Sequence, residues 1–108
     1  MGLTAYDIDG VLSRGVEPVH PYCVISGRTW AEYDGLVKRL AQDAPVYIRG
    51  AGAYGDHQHA GEFKAAMINL LGITEFHEDR PEQQKIIEAN CPRCTVVSHD
   101  VGAPPRQA

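Results

Sequence analysis

Apolar positions along the chain follow two rhythms. Short, nearly continuous runs occur at residues 3–8 (LTAYDI), 21–26 (PYCVIS), 45–49 (PVYIR), 73–77 (ITEFH) and 94–99 (CTVVSH). Their length, and the Gly, Pro or Asp that bounds most of them, predict strands buried on both faces. A helical rhythm takes over at residues 29–42, where Trp30, Tyr33, Leu36, Val37, Leu40 and Ala41 share one face. Thr29 and Glu32 have capping-box spacing and predict the start of that helix, with Gly35 weakening it by about 1 kcal/mol relative to alanine. Residues 62–72 predict a second helix, with Phe63, Met67, Leu70 and Leu71 on one face and Gly72 as its stop. Residues 81–90 predict a third, opened by Pro81. Residues 50–61 read as a Gly- and His-rich loop in which His57 and His59 lie on one side if the chain is extended.

Strands alternating with helices imply an α/β architecture, a parallel sheet sandwiched between helical layers in the Rossmann-like manner. Ligands bind such sheets beyond the carboxyl ends of the strands, where the strand order reverses. The residues expected at that rim are Asp7 and Asp9, Ser26 to Arg28, the Gly50 loop, Glu78 and Asp79, and His99 with Asp100. Acids gathered at one edge repel each other and call for a cation.

Composition narrows the picture. The 108 residues suit one domain, 1–108, whose Pro-rich end from about residue 101 is expected to fray. A net charge of −4 argues against a general nucleic-acid binder. No apolar run reaches membrane-span length and no secretory segment follows Met1, so the expectation is a soluble cytoplasmic protein with no membrane partner. Cys23, Cys91 and Cys94 are too few and odd in number for a disulfide framework. Cys91 and Cys94 have the spacing of half a zinc site, which Cys23, His57 or His59 could complete only if the fold brought them close. Two cysteines in a turn before the last strand is the simpler reading.

Each candidate residue also has an ordinary explanation. Asp7-Ile8-Asp9-Gly10 could be a turn after a strand, Asp79 could cap the helix that Pro81 opens, and Ser26 could serve its neighbouring turn. Arg28 could grip a phosphate or form a surface ion pair in equal measure. Lys64 stands out, because a cation in the first turn of the 62–72 helix would oppose the helix dipole.

Taken in order, these segments resemble the motifs of the haloacid dehalogenase superfamily of phosphohydrolases. "DIDGV" is similar to its first motif, Asp-x-Asp-Gly-Thr/Val; "VISGRT" to its second; Lys64 to its third; and "FHEDRP" to its acidic fourth. The resemblance covers residues 3 to 100 and implies a five-stranded parallel sheet in the order 5-4-1-2-3. It implies Mg²⁺-dependent hydrolysis of a phosphate monoester. Asp7 would be the nucleophile, Asp9 the acid and base, Ser26 a donor to phosphate, and Lys64 the neutralising cation. Gly10, Gly27 and Arg28 would line the substrate side. Mg²⁺ would be held by Asp7, the Asp9 carbonyl, and Asp79 with Glu78. Many relatives carry an inserted cap domain. Residues 11–21 and 50–61 are too short to hold one, so a capless site is expected, open to a small or macromolecular phosphate or closed by a homo-oligomer partner. A non-catalytic phosphate- or metal-binding regulator and a zinc-stabilised interaction module around Cys91 and Cys94 are the rival readings.

Overall fold

The structure, a computed structural model, describes residues 2–50 and 56–99. Five strands, β1 (Thr4–Tyr6), β2 (Tyr22–Thr29), β3 (Val46–Arg49), β4 (Glu75–Glu78) and β5 (Thr95–Ser98), form one all-parallel sheet in the order β3-β2-β1-β4-β5. This is the expected order read from the opposite edge. Helices α1 (Gly35–Ala41), α2 (His57–Leu71) and α3 (Pro81–Asn90) connect the strands.

Alternation along the strands explains the layers. Ala5, Ile25 and Phe76 face Ala65 and Ile68 of α2 and Ile87 of α3. Their neighbours Tyr6 and Val24 turn to the other face and meet Val37 and Ala41 of α1. Every side chain in these two sets is buried, so neither face of the central strands is left to water. Gly61 brings α2 close to α3, because a Cβ there would stand 2.9 Å from Ile86 Cδ1. No helix among the described residues is long and apolar enough to cross a membrane.

Several boundaries differ from the sequence expectation, three of them by half a helical turn or more or by a change of element. The 29–42 helix is broken. The Thr29–Glu32 capping box forms, but it caps only a 3-10 turn at Trp30–Glu32. Asp34 then accepts from the Leu36 and Val37 amides and starts α1 afresh, which leaves Trp30 63% exposed instead of buried. Helix α2 begins at His57, five residues earlier than expected, because the Asp56 side chain accepts from the His59 amide. The 57–59 segment is therefore helical, Lys64 sits mid-helix and not in the first turn, and Leu70 faces solvent at 77% exposure. Gly72 ends the helix as predicted, in the left-handed conformation at φ 71°. Strand β2 runs on past Ser26 to Thr29, with its register against β3 shifting between those residues.

Between β1 and β2 the chain forms one 3-10 turn, Leu12–Arg14, held down by buried Val11 and Leu12. Among the described residues, nothing larger is inserted there. Residues 51–55, part of the expected β3–α2 loop, and Asp100 with the tail lie outside the described residues.

Candidate active site

Strand order reverses at β1: the chain first builds β2 and β3 to one side, then crosses through α2 to lay β4 on the other. The carboxyl ends of β1 and β4 are therefore adjacent, and the Asp7 amide extends their ladder by donating to the His77 carbonyl at 3.1 Å. This places Asp7 beside Glu78 and Asp79. One carboxylate oxygen from each of the three lies within 4.8 Å of the others, and all three side chains are buried.

Among the described residues, one cation is paired with this cluster. Lys64, 2% exposed, extends from α2 to Asp7 Oδ2 at 3.2 Å and Glu78 Oε1 at 2.7 Å, and donates to Gln83 Oε1 at 2.6 Å. Glu78 is saturated, since its Oε2 also accepts from the Asp79 and Arg80 amides. Asp79 Oδ1, by contrast, is buried without a hydrogen-bond partner among the described residues. Its backbone leaves Arg80 as the N-cap of α3, a position with no side-chain cap, so Asp79 is not the helix cap.

The titration of these groups follows from one cation facing three acids. Burial, with the charges of Glu78 and Asp79 behind it, pushes the Asp7 carboxyl well above its usual range despite Lys64. Burial, then its hydrogen bond and charge contact with Glu78, lifts Asp79 to about 7. Glu78 stays low although buried, because Lys64 and backbone donors favour its ionised form. Lys64 is penalised by burial, yet Asp7 and Glu78 more than offset this and raise it to about 12. Lys64 and Glu78 are thus held ionised, while Asp7 and Asp79 compete to lose their charge.

Asp9 is placed differently. Spacing of two on a strand would point Asp7 and Asp9 the same way, but β1 ends at Tyr6 and Ile8 turns into the core. Asp9 sits at the tip of the turn, its side chain 56% exposed, paired with Arg28 through Nε–Oδ2 at 2.8 Å and Nη2–Oδ1 at 2.9 Å. Arg28 also donates to the Glu32 carbonyl and meets Asp34 at 3.3 Å, so its guanidinium is engaged by protein groups. Ser26 is fully buried and its Oγ accepts from the Arg28 amide at 3.1 Å.

Two glycines make room. Gly10 has φ +80°, which side-chain-bearing residues rarely adopt, and a Cβ there would overlap the Asp79 carboxylate. Gly27 lets α2 approach β2, since a Cβ would lie 2.9 Å from Ala60 Cβ and 3.6 Å from Lys64 Cε. Gly10→Ala is therefore expected to displace the Asp79 carboxylate and to destabilise the fold by about 1–3 kcal/mol. Urea denaturation checks this, and an unchanged midpoint would show that Asp79 has space to spare.

A cleft of about 480 Å³ opens over the cluster, lined by Asp7, Asp9, Gly10, Gly27, Arg28, Lys64 and Asp79 among the expected residues. Ser26 and Glu78 stand behind this lining. Sequence reasoning did not select Arg14, Arg49, Arg80 or Gln83, which also line it. Gln83 joins Lys64 to His57, whose Nδ1 lies 3.0 Å from Gln83 Nε2. His59 instead reaches Arg49 at 3.0 Å. Neither histidine lies with the cysteines: Cys91 Sγ meets the Ala65 carbonyl and Cys94 Sγ the Thr95 carbonyl. Among the described residues, the triad of acids is the one cluster with the ligand set for a metal ion. His99 hydrogen-bonds His77 at 2.9 Å, on the sheet face that carries Tyr6.

No family model, curated protein or solved structure matches this chain.

Proposed function

We propose that the protein is a divalent-metal-dependent phosphohydrolase that cleaves a phosphate monoester through attack by Asp7. The observation that carries this reading is the buried Asp7–Glu78–Asp79 triad, served by a single lysine and holding an orphaned Asp79 Oδ1. A buried carboxylate oxygen without a partner is costly. A hard cation with oxygen ligands satisfies it and offsets both the burial and the mutual repulsion that raise Asp7 and Asp79.

The donor set fits Mg²⁺. Asp7 and Asp79 would hold it, with the Asp9 main-chain carbonyl as the resemblance implies; Glu78 would support from behind, its oxygens already bonded to Lys64 and backbone amides. Bound there, the ion would neutralise charge on the phosphate and on Asp7. Lys64 holds Asp7 Oδ2 at 3.2 Å and fixes the direction in which the carboxylate faces the cleft. Asp7 attacks phosphorus and an aspartyl phosphate forms as the alcohol leaves. Asp9 protonates the departing oxygen, then takes a proton from the water that cleaves the acyl phosphate. Arg28 clamps Asp9 to the cleft wall in the resting state, so Asp9 must loosen from it to exchange protons.

The Mg²⁺-dependent release of phosphate from an aryl phosphate, nucleotides and sugar phosphates tests the reading. Metal-dependent turnover on one or more of them is expected. Its absence on all would leave only the regulatory, phosphate- or metal-binding alternative.

Proton linkage gives a further expectation. The folded pKa of Asp79, about 7, lies above its unfolded value of 3.8, so the metal-free fold binds the extra proton. That contribution to stability is present at low pH and is lost as pH rises through about 7. The metal-free melting temperature should therefore fall between about pH 5 and pH 8, and Mg²⁺ should raise it more at the upper end. Asp79→Asn should flatten both trends. Thermal melts with and without Mg²⁺ check this, and equal Mg²⁺ effects at both ends would remove the link between Asp79 and the ion.

A further inference from the structure

The chain carries ten Lys and Arg residues against fourteen acids, yet five of the ten, Arg14, Arg28, Arg49, Lys64 and Arg80, line one cleft. Five acids line it as well, Asp7, Asp9, Glu32, Asp56 and Asp79, so charges balance only before their partners are assigned. Lys64 is committed to Asp7, Arg28 to Asp9, and Arg49 to the Gly27 carbonyl and His59. Glu32 closes the capping box on Thr29, and Asp56 caps α2. Two guanidiniums are left, Arg14 and Arg80, neither with an ion pair or side-chain hydrogen bond among the described residues.

Both are presented from anchored backbone. Arg14 ends the 3-10 turn that buried Leu12 fixes to the core, and Ser13 beside it accepts from the Gly10 amide. Arg80 is held by its own amide, which donates to Glu78 Oε2. The segments that carry them follow the adjacent strands β1 and β4 and meet where Gly10 abuts Asp79. Two forked donors on fixed mounts beside one cleft suit an anion with several oxygens.

We infer that Arg14 and Arg80 form a subsite for a second anionic group, so that the substrate is a phosphate monoester bearing another phosphate or a carboxylate. This rests on the phosphohydrolase reading of the same cleft and specifies its substrate class. The reacting phosphate lies toward Asp7 and Lys64; the second anion lies toward the two arginines, outside the buried acids that would repel it.

Three ligands that share a carbon skeleton test it: glycerol 3-phosphate, 3-phosphoglycerate and 2,3-bisphosphoglycerate, titrated calorimetrically into the full chain with Mg²⁺ and the Asp7→Asn substitution. One or both of the doubly anionic ligands should bind about tenfold or more tightly than glycerol 3-phosphate. Arg14→Gln with Arg80→Gln should remove that gain and leave glycerol 3-phosphate binding unchanged. A gain with 3-phosphoglycerate identifies a carboxylate as sufficient, and a gain confined to the bisphosphate identifies phosphate. Equal affinity for all three, or a gain that survives the double substitution, overturns the subsite. The outcome is separable from the catalytic reading: discrimination without turnover in the unsubstituted protein would sink hydrolysis and keep the subsite, and turnover without discrimination would do the reverse.

Discussion

Asp7→Asn is expected to cost about three orders of magnitude or more in phosphate release while leaving the fold intact. An amide cannot attack phosphorus, so the loss falls on the rate and not on substrate binding. The stability side follows from what holds Asp7. Burial already disfavours its charge, and asparagine keeps an oxygen that can accept from the Ile8 amide, as Asp7 Oδ1 does at 2.9 Å. Lys64 loses one partner and retains Glu78 and Gln83. The melting temperature in the absence of metal should hold steady or rise at alkaline pH. Parallel assays and thermal melts check both halves. A protein that unfolds with Asp7→Asn would make this aspartate a structural anchor, and turnover that survives the substitution would remove it from the chemistry.

Lys64→Met is expected to act in the opposite sense, on stability first. Methionine fills similar space but leaves Asp7 and Glu78 buried without their shared cation. Removing one partner of a buried charge pair costs about 3–5 kcal/mol. A chain of this size has about 5–15 kcal/mol in total, so the variant should lose a large part of it. The loss should shrink as pH falls and the stranded carboxyls take up protons. Denaturant titration with urea at two pH values measures this. A loss under about 1 kcal/mol at neutral pH would show that Glu78 finds enough support from the Asp79 and Arg80 amides alone.

The contrast between these variants shows where sequence reasoning succeeds. Apolar runs that end in acids or in Ser-Gly fix which residues reach the sheet rim, because a parallel strand buried on both faces must stop where polar residues begin. Asp7, Glu78 and Asp79 therefore converge as expected, whereas the sheet order and the approach of Lys64 are implied by the family resemblance and not by the apolar runs. Features that depend on a competing local bond are not legible in this way. Asp34 outcompetes the Thr29–Glu32 box as the start of α1, and Asp56 adds a full turn and more to α2, because short acidic side chains capture amides in ways periodicity does not register. The exposed pairing of Asp9 with Arg28 depends on where β1 ends, a boundary of one or two residues. Gln83 and Arg14 lie outside the quoted motifs, and Arg80, although inside FHEDRP, is given no role by it. Gln83 comes to the cleft on α3, Arg80 at the N-cap of that helix and Arg14 on the 3-10 turn after β1, a placement that could be read only in three dimensions.

Phosphoryl transfer to Asp7 would leave a covalent acyl phosphate, and that bond can be looked for directly. The protein with Asp9→Asn, mixed with an aryl phosphate and Mg²⁺ and quenched in acid, is the sample, and peptide mass spectrometry is the readout. A phosphoryl increment on the peptide containing Asp7, missing when Mg²⁺ is withheld, is the result the account predicts. Phosphate release by the unsubstituted protein with no increment at Asp7 in either form would contradict it.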